Sequence, residues 1–166
     1  MEGLRIRRAT LSDVRRLAEI ERACFEEGYP ESLLAFFIAD ERYASLVAEV
    51  GGVVIGLAVG ELEEREHKRV GHIWTIEVLP AYRNKGIGTR LLKALEEELA
   101  ARGATEFCLE VRVDNAPALS LYEKLGYERV GLLRDYYGPG RHGYLMRKWP
   151  GLRGAREGLL PEGHGT

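Results

Sequence analysis

Glutamine is absent from this chain of 166 residues, and asparagine occurs only at Asn84 and Asn115. Lysine is scarce as well, with arginine supplying 19 of the 24 basic residues. Few amides beside a charged fraction of 30% suit a thermophile and a GC-rich genome equally well. Cysteine is limited to Cys24 and Cys108 with no CxxC spacing, which argues against a disulfide framework or a cysteine zinc site. His67, His72, His142 and His164 are scattered, none in a two-histidine ligand spacing with a nearby cysteine, so no metal is expected. No apolar run approaches the roughly 18 residues that cross a bilayer. Met1 to Thr10 alternates charged and apolar residues and lacks a signal-peptide core. Nor does either sign of charge dominate: 24 basic against 26 acidic residues give −2, which argues against a nucleic-acid binder relying on bulk phosphate neutralisation. These absences point to a cytoplasmic protein with no membrane and no nucleic-acid partner.

What is present is the 45% hydrophobic content of an ordinary globular domain. Leu4-Arg5-Ile6-Arg7 reads as a first strand, and Thr10 with Asp13 as a helix start. Val14, Leu17, Ala18, Cys24 and Phe25 recur near helical spacing until Gly28-Tyr29-Pro30 breaks the pattern, and Glu31 to Ile38 forms a second helix. Gly51-Gly52 joins Ala44 to Val50 and Val53 to Gly60 as a hairpin. Glu61 to Arg69 reads as a charged, solvated connection, and Gly71 to Val78 as the next strand. Thereafter helix and strand alternate. Gly88 to Arg102 carries a leucine stripe ending at Gly103, and Thr105 to Val113 places Phe107, Leu109 and Val111 on one face. Ala116 to Leu125 opens with Asn115 as N-cap, and Tyr127 to Leu133 and Gly143 to Trp149 close the domain. The pattern predicts an α+β domain over residues 1–149 and a glycine-rich, flexible tail over 150–166.

Chemistry concentrates where Val78-Leu79-Pro80-Ala81-Tyr82-Arg83-Asn84-Lys85-Gly86-Ile87-Gly88-Thr89 ends a strand and opens a long helix. Unpaired N–H groups at a helix N-terminus, with Arg83 and Lys85 beside them, make an anion site. The spacing is not that of a Walker motif, and no third glycine stands at Leu91 to complete a dinucleotide fingerprint. The run Tyr82 to Gly88 followed by Leu91-Leu92 resembles the acetyl-CoA-binding motif of the GNAT superfamily of N-acetyltransferases. Some way downstream, Leu109 to Asn115 leads into Leu121-Tyr122-Glu123-Lys124-Leu125-Gly126-Tyr127. That second block resembles the next GNAT motif in the form found in protein N-terminal acetyltransferases, including the bacterial ribosomal-protein alanine acetyltransferases and their archaeal relatives.

The resemblance spans Leu4 to Lys148 and implies the GNAT fold, a mixed, mostly antiparallel sheet of about seven strands with four helices. It also implies acetyl-CoA as co-substrate and a protein or peptide N-terminus as acceptor. The backbones of Ile76 and Val78 would pair with the pantetheine arm. The segment Arg83, Asn84, Lys85, Gly86, Ile87, Gly88 and Thr89 would hold the pyrophosphate, and Asn115 would hydrogen-bond the pantetheine. Tyr122 would lie beside the thioester sulfur as general acid, with Glu110 as general base and His72 as a rival base. Tyr29, Tyr136 and Tyr137 would line the acceptor end. Glu77 stands where these enzymes commonly carry a small or apolar residue, and it reads as a solvated or salt-bridged strand position.

These residue types suit acyl transfer. A thioester is already activated, so the protein must position a neutral amine, stabilise an oxyanion and manage two protons. A free α-amine has a pKa near 7.7–8.0 against about 10.4 for lysine, so neutralising it costs roughly 3 kcal/mol less. Lysine, a polyamine or an aminoglycoside remain alternative acceptors, and a non-catalytic CoA sensor is a further alternative. Glu110 has a competing reading as an ion-pair partner of Arg112, two residues on. The residues leave monomer and homodimer equally open.

Overall fold

The computed structural model describes residues 3–25 and 28–149. The expected tail, 150–166, and the glutamates at 26 and 27 lie outside the described residues. Strand β1 (Leu4–Arg8) is followed by a short 3₁₀ turn at Leu11–Asp13, where Thr10 and Asp13 form a capping box. Helices α1 (Val14–Cys24) and α2 (Glu31–Ala39) come next, separated by the expected break. Strands β2 (Tyr43–Val50), β3 (Val53–Arg65) and β4 (Lys68–Val78) form an antiparallel meander. Helix α3 (Ile87–Ala101), strand β5 (Glu106–Arg112), helix α4 (Ala116–Lys124) and strands β6 (Glu128–Leu133) and β7 (Gly143–Lys148) complete the elements of the described residues. The seven strands lie in the order β1-β2-β3-β4-β5-β7-β6, with β4 and β5 parallel.

Each face of the sheet buries its own apolar cluster. On one, the fully buried Leu91, Leu92, Leu95 and Leu99 of α3 meet Phe107, Leu109 and Val111 of β5 and Leu119 of α4. Each leucine so placed contributes roughly 1.5–3 kcal/mol over exposure. On the other, Leu17 and Ile20 of α1 and Leu34 and Phe37 of α2 cover Val47, Leu57 and Val59.

The segment expected to be a solvated connection, Glu61 to Arg69, is mostly strand. β3 runs to Arg65, β4 starts at Lys68, and the turn is only Glu66 and His67, both in the left-handed region. The charges stay on the sheet because they pair there, with Arg69 on Glu64 and Arg65 on Glu63. High charge read as loop, whereas pairing along and across the strands neutralises it.

The feature that places the site is the brevity of the β4–β5 pairing. Only Val70, Gly71 and His72 face Glu106, Phe107 and Cys108. Beyond His72, β4 continues with β3 as far as Val78 opposite Gly56, while β5 pairs with β7 from Phe107 to Arg112. Trp74 is the extra residue of a bulge opposite Val59 and Gly60, just past the last parallel pair, where it adds local twist. The two strands part, and the C-terminal half of β4 keeps an unpaired edge.

Gly71 permits the short junction. A Cβ there would lie 2.5 Å from Cδ1 of Phe107, a ring with no room to move in the core. Gly71→Ala is expected to cost about 1–3 kcal/mol through overpacking and to lower Tm by calorimetry. Gly131→Ala, whose Cβ would find its nearest neighbour 3.8 Å away, should leave Tm nearly unchanged.

Candidate active site

Where β4 and β5 part, His72 is the last parallel-paired residue of β4, and Glu110 lies on β5 two residues beyond its partner Cys108. Side chains two apart on a strand share a face, so Glu110 reaches back to the histidine. His72 Nε2 lies 2.8 Å from Glu110 Oε1, and Nδ1 lies 2.7 Å from Glu63 Oε2 on β3. Glu63 is bound in turn by the Arg65 guanidinium, which also reaches Cys108 Sγ at 3.6 Å. Trp74 stacks over the imidazole, centroids 4.8 Å apart, and its indole N–H donates to Glu61.

Burial pulls the His72 pKa down, but hydrogen bonds and charge from Glu110, then Glu63, outweigh it and hold the imidazole above its ordinary value. For Glu63, burial pushes upward, and the hydrogen bonds from His72 and Arg65 overcome it to hold the carboxyl below its usual range. The arrangement favours the protonated ring more than water does, with Glu110 and Glu63 each accepting from one ring nitrogen. Because the folded His72 pKa is raised, its contribution to stability is complete below the unfolded value of about 6.5 and is lost as pH rises through the folded value.

Glu110 and His72, weighed as rival bases from the sequence, are thus hydrogen-bonded partners. The competing ion pair of Glu110 with Arg112 does not form, since Arg112 binds Asp114 through both Nε and NH2. Glu63 was missed because it fell within the supposed loop. The alternation Glu61-Leu62-Glu63 was the signal that this stretch was strand, with Glu63 aimed to one side.

At one end of the parting, α3 presents its N-terminus. Gly86, at φ 81°, is its N-cap and offers no side-chain partner, so the first amides of Ile87, Gly88 and Thr89 lack an acceptor from a capping side chain. Asn84 is also left-handed, at φ 62°. A Cβ on Gly88 would meet nothing closer than Leu121 at 3.6 Å, so the turn stays open to an approaching group. Lys85 is exposed beside it. Arg83 does not point to this turn: its Nε donates to the Val78 carbonyl at 2.9 Å, and NH2 lies 3.5 Å from Cys24 Sγ. Ile76 and Val78 line the unpaired edge of β4. Asn115 caps α4, its Oδ1 accepting from the Ala118 N–H at 3.2 Å, which leaves its amide N–H groups as donors.

Tyr122 projects from α4 and packs edge-on to Tyr127, ring centroids 5.8 Å apart. Burial, with Glu77 nearby, pushes its phenol up to about 12, so it holds its proton at neutral pH. Tyr29 lies beside Glu21 and Glu77, and Tyr136 and Tyr137 lie near Glu110. Tyr29 rests edge-on against Phe37, and Tyr136 edge-on against Tyr137. Burial raises all three, with Glu110 adding to the rise of both Tyr136 and Tyr137, and Tyr136 adding to that of Tyr29. Tyr136 and Tyr137 thus lie in the field of Glu110, whereas Tyr29 lies in that of Glu21 and Glu77, with Tyr136 linking the two.

Glu77 departs from its expected setting. It is 4% exposed and has no ion pair among the described residues; it lies instead against Glu21 of α1. The strand alternation carries it onto the face that α1 covers, a tertiary fact that a local reading of charge cannot supply.

The profile of the "Acetyltransferase (GNAT) family" matches residues 14–127. An N-alpha-acetyltransferase of Sulfurisphaera tokodaii is 39% identical over 151 residues, covering 86% of this chain and 90% of that protein. The N-alpha-acetyltransferase RimI of Mycobacterium tuberculosis is 36% identical over 154 residues, covering 89% and 93%. Among solved structures, the ribosomal-protein-S18-alanine N-acetyltransferase of Escherichia coli superposes with a TM-score of 0.77 at 27% identity, covering 88% of this chain and 93% of that one.

Replacing Glu63 with glutamine removes one of the two charges facing the imidazole. An NMR titration of His72 should then give a lower pKa than in the parent protein. The stability lost on substitution should be greatest between about pH 5 and 6.5 and should shrink as pH rises through the folded value of His72.

Proposed function

The chain belongs to the GNAT family of acetyltransferases and is an acetyl-CoA-dependent N-acetyltransferase, and on that premise we propose that it acetylates the N-terminal α-amine of a protein or peptide. The observation that carries this reading is the His72–Glu110 pair, set at the parting of β4 and β5 with Tyr136 and Tyr137 nearby.

The residues present fit the co-substrate. Acetyl-CoA supplies an acetyl group already activated as a thioester. The unpaired edge of β4 at Ile76 and Val78 offers backbone groups to an extended amide chain, as an added strand would. The turn from Asn84 to Thr89 offers amides and a helix dipole to phosphates, with Lys85 adding charge. The Asn115 amide N–H groups remain available to the arm that lies between them.

An acceptor amine passes between Tyr29, Tyr136 and Tyr137 and meets Glu110 first, because the Glu110 side chain is more exposed than that of His72 (19% against 11%). Glu110 takes the amine proton on Oε2, directly or through a water, while His72 Nε2–H donates to Oε1 and holds the carboxyl group in place. Glu63 fixes the ring by its bond to Nδ1, much as a second-row carboxylate orients a histidine in a catalytic triad. The new N–C bond forms as the C–S bond breaks, and Tyr122 Oη–H delivers the proton to the departing sulfur. A modest base suffices because an α-amine is substantially neutral near pH 8, whereas a lysine is not. The same reading sets the reaction in the cytoplasm, where nascent protein N-termini meet acetyl-CoA.

The direct test incubates the protein with acetyl-CoA and two peptides, one with a free N-terminus and no lysine, the other N-blocked with a lysine. Mass spectrometry should place acetyl on the α-amine of the first only. Acetylation of the second alone would replace the acceptor class with lysine. Glu110→Gln and His72→Gln should each lower kcat by about 10²–10³. The double variant should be no slower than the worse single one, because the two act as a unit.

A further inference from the structure

Glu21 of α1 and Glu77 of β4 are 1% and 4% exposed, and their carboxyl groups lie within hydrogen-bonding reach of one another. Between them they offer four oxygens and find two protein donors. The Tyr29 backbone N–H donates to Glu21 Oε1 at 2.9 Å, and the Thr75 hydroxyl donates to Glu77 Oε2. Glu21 Oε2 and Glu77 Oε1 are buried with no donor among the described residues. No cation is ion-paired with either among the described residues, and the nearby Arg83 guanidinium is committed to the Val78 carbonyl and Cys24 Sγ. Two anions in that setting would bear a desolvation penalty that nothing repays. One proton between the orphaned oxygens removes a charge and gives both atoms a hydrogen bond.

The location gives the pair its consequence. Glu77 lies between Ile76 and Val78, the residues at the unpaired edge of β4. Glu21 holds the Tyr29 N–H, and Gly28 lies directly on Glu21, where a Cβ would be 2.6 Å from the glutamate's own. The groups facing Glu77 are Glu21 and Cys24 of α1, Thr75 on its own strand, Arg83 from the turn beyond β4, the Tyr29 phenol and the Tyr122 phenol of α4.

We propose that Glu21 and Glu77 are a positioning pair sharing one proton, which fastens the acceptor wall at Gly28–Pro30 to β4 and thereby sets the affinity for the acceptor peptide. When the proton leaves, the carboxylates repel and the wall loosens, while the amide turn that holds acetyl-CoA is untouched. Glu77 is pushed up to about 9, by burial first and then by its hydrogen bond to and the charge of Glu21, so the pair stays protonated through neutral pH. The inference rests on the reading of the tyrosine-lined end as the acceptor side.

The experiment compares the parent protein with Glu77→Gln and Glu77→Ala. Glutamine keeps a donor for Glu21 and cannot titrate; alanine leaves Glu21 alone. Relative to E77Q, the peptide KM of the parent should rise several-fold from pH 7 to pH 10, with the KM for acetyl-CoA parallel in the two. E77A should show a peptide KM raised about tenfold already at pH 7, a change of about 1.4 kcal/mol. A peptide KM in which E77Q and E77A behave alike would overturn the positioning role.

The shared proton is tested separately, without any substrate. The folded pKa of Glu77 is raised from 4.5 to about 9, so the folded state holds an extra proton across that window and loses stability as pH rises through it. The Tm of E77Q should therefore gain on that of the parent steadily between pH 5 and pH 9. The infrared band of a protonated carboxyl group should be present in the parent at pH 7 and absent from E77Q. A constant Tm gap and no such band would refute the pair even if peptide acetylation is confirmed. Both signatures in a protein that acetylates no peptide would uphold the pair and overturn the acceptor reading alone.

Discussion

The parallel contact between β4 and β5 lasts three residue pairs, and almost everything of functional interest lies where it ends. Each strand has a better partner on its far side: β3 for β4 over nearly its whole length, β7 for β5. With Phe107 wedged against Gly71 and the Trp74 bulge twisting β4 away, the strands diverge without losing their place in one sheet. Divergence exposes backbone groups on β4 that a continuous sheet would have consumed. It also brings a histidine and a glutamate from neighbouring strands to the apex, within hydrogen-bonding distance.

Charge is distributed around that apex in two contrasting ways. His72 lies between Glu63 and Glu110, so a proton on the imidazole is stabilised from both sides and the cluster stays polar and responsive near neutral pH. Glu77, on the face covered by α1, has no ion-paired cation among the described residues, and burial beside Glu21 favours keeping its proton rather than releasing it. Tyr122 and Tyr29 are likewise held protonated by burial.

Much of this was legible in the residues. The leucine stripe of α3, the left-handed Gly86 at its start, the cap at Asn115 and the alternation on β5 all follow from local periodicity and backbone preference. What escaped detection was non-local. Glu61 to Arg69 looked like a solvated connection because its charges are many, yet Glu63 and Arg65 neutralise each other within a strand. Glu77 looked solvated because a carboxylate usually is, and only the packing of α1 over β4 shows otherwise.

The candidate acid and base came from the family resemblance; by itself, the sequence determined the order and type of nearly every element and the amide-rich turn at residues 83–89. These depend on spacing along the chain, which periodicity, glycine conformation and capping chemistry record directly. The tertiary structure alone decided that Glu110 and His72 are partners, that Glu63 is the third member of their network, and that Glu21 and Glu77 face one another in the dark. Those contacts join residues 9, 38 and 56 positions apart. A one-dimensional pattern carries no term for such separations; the divergence of two strands and the packing of a helix across one of them do.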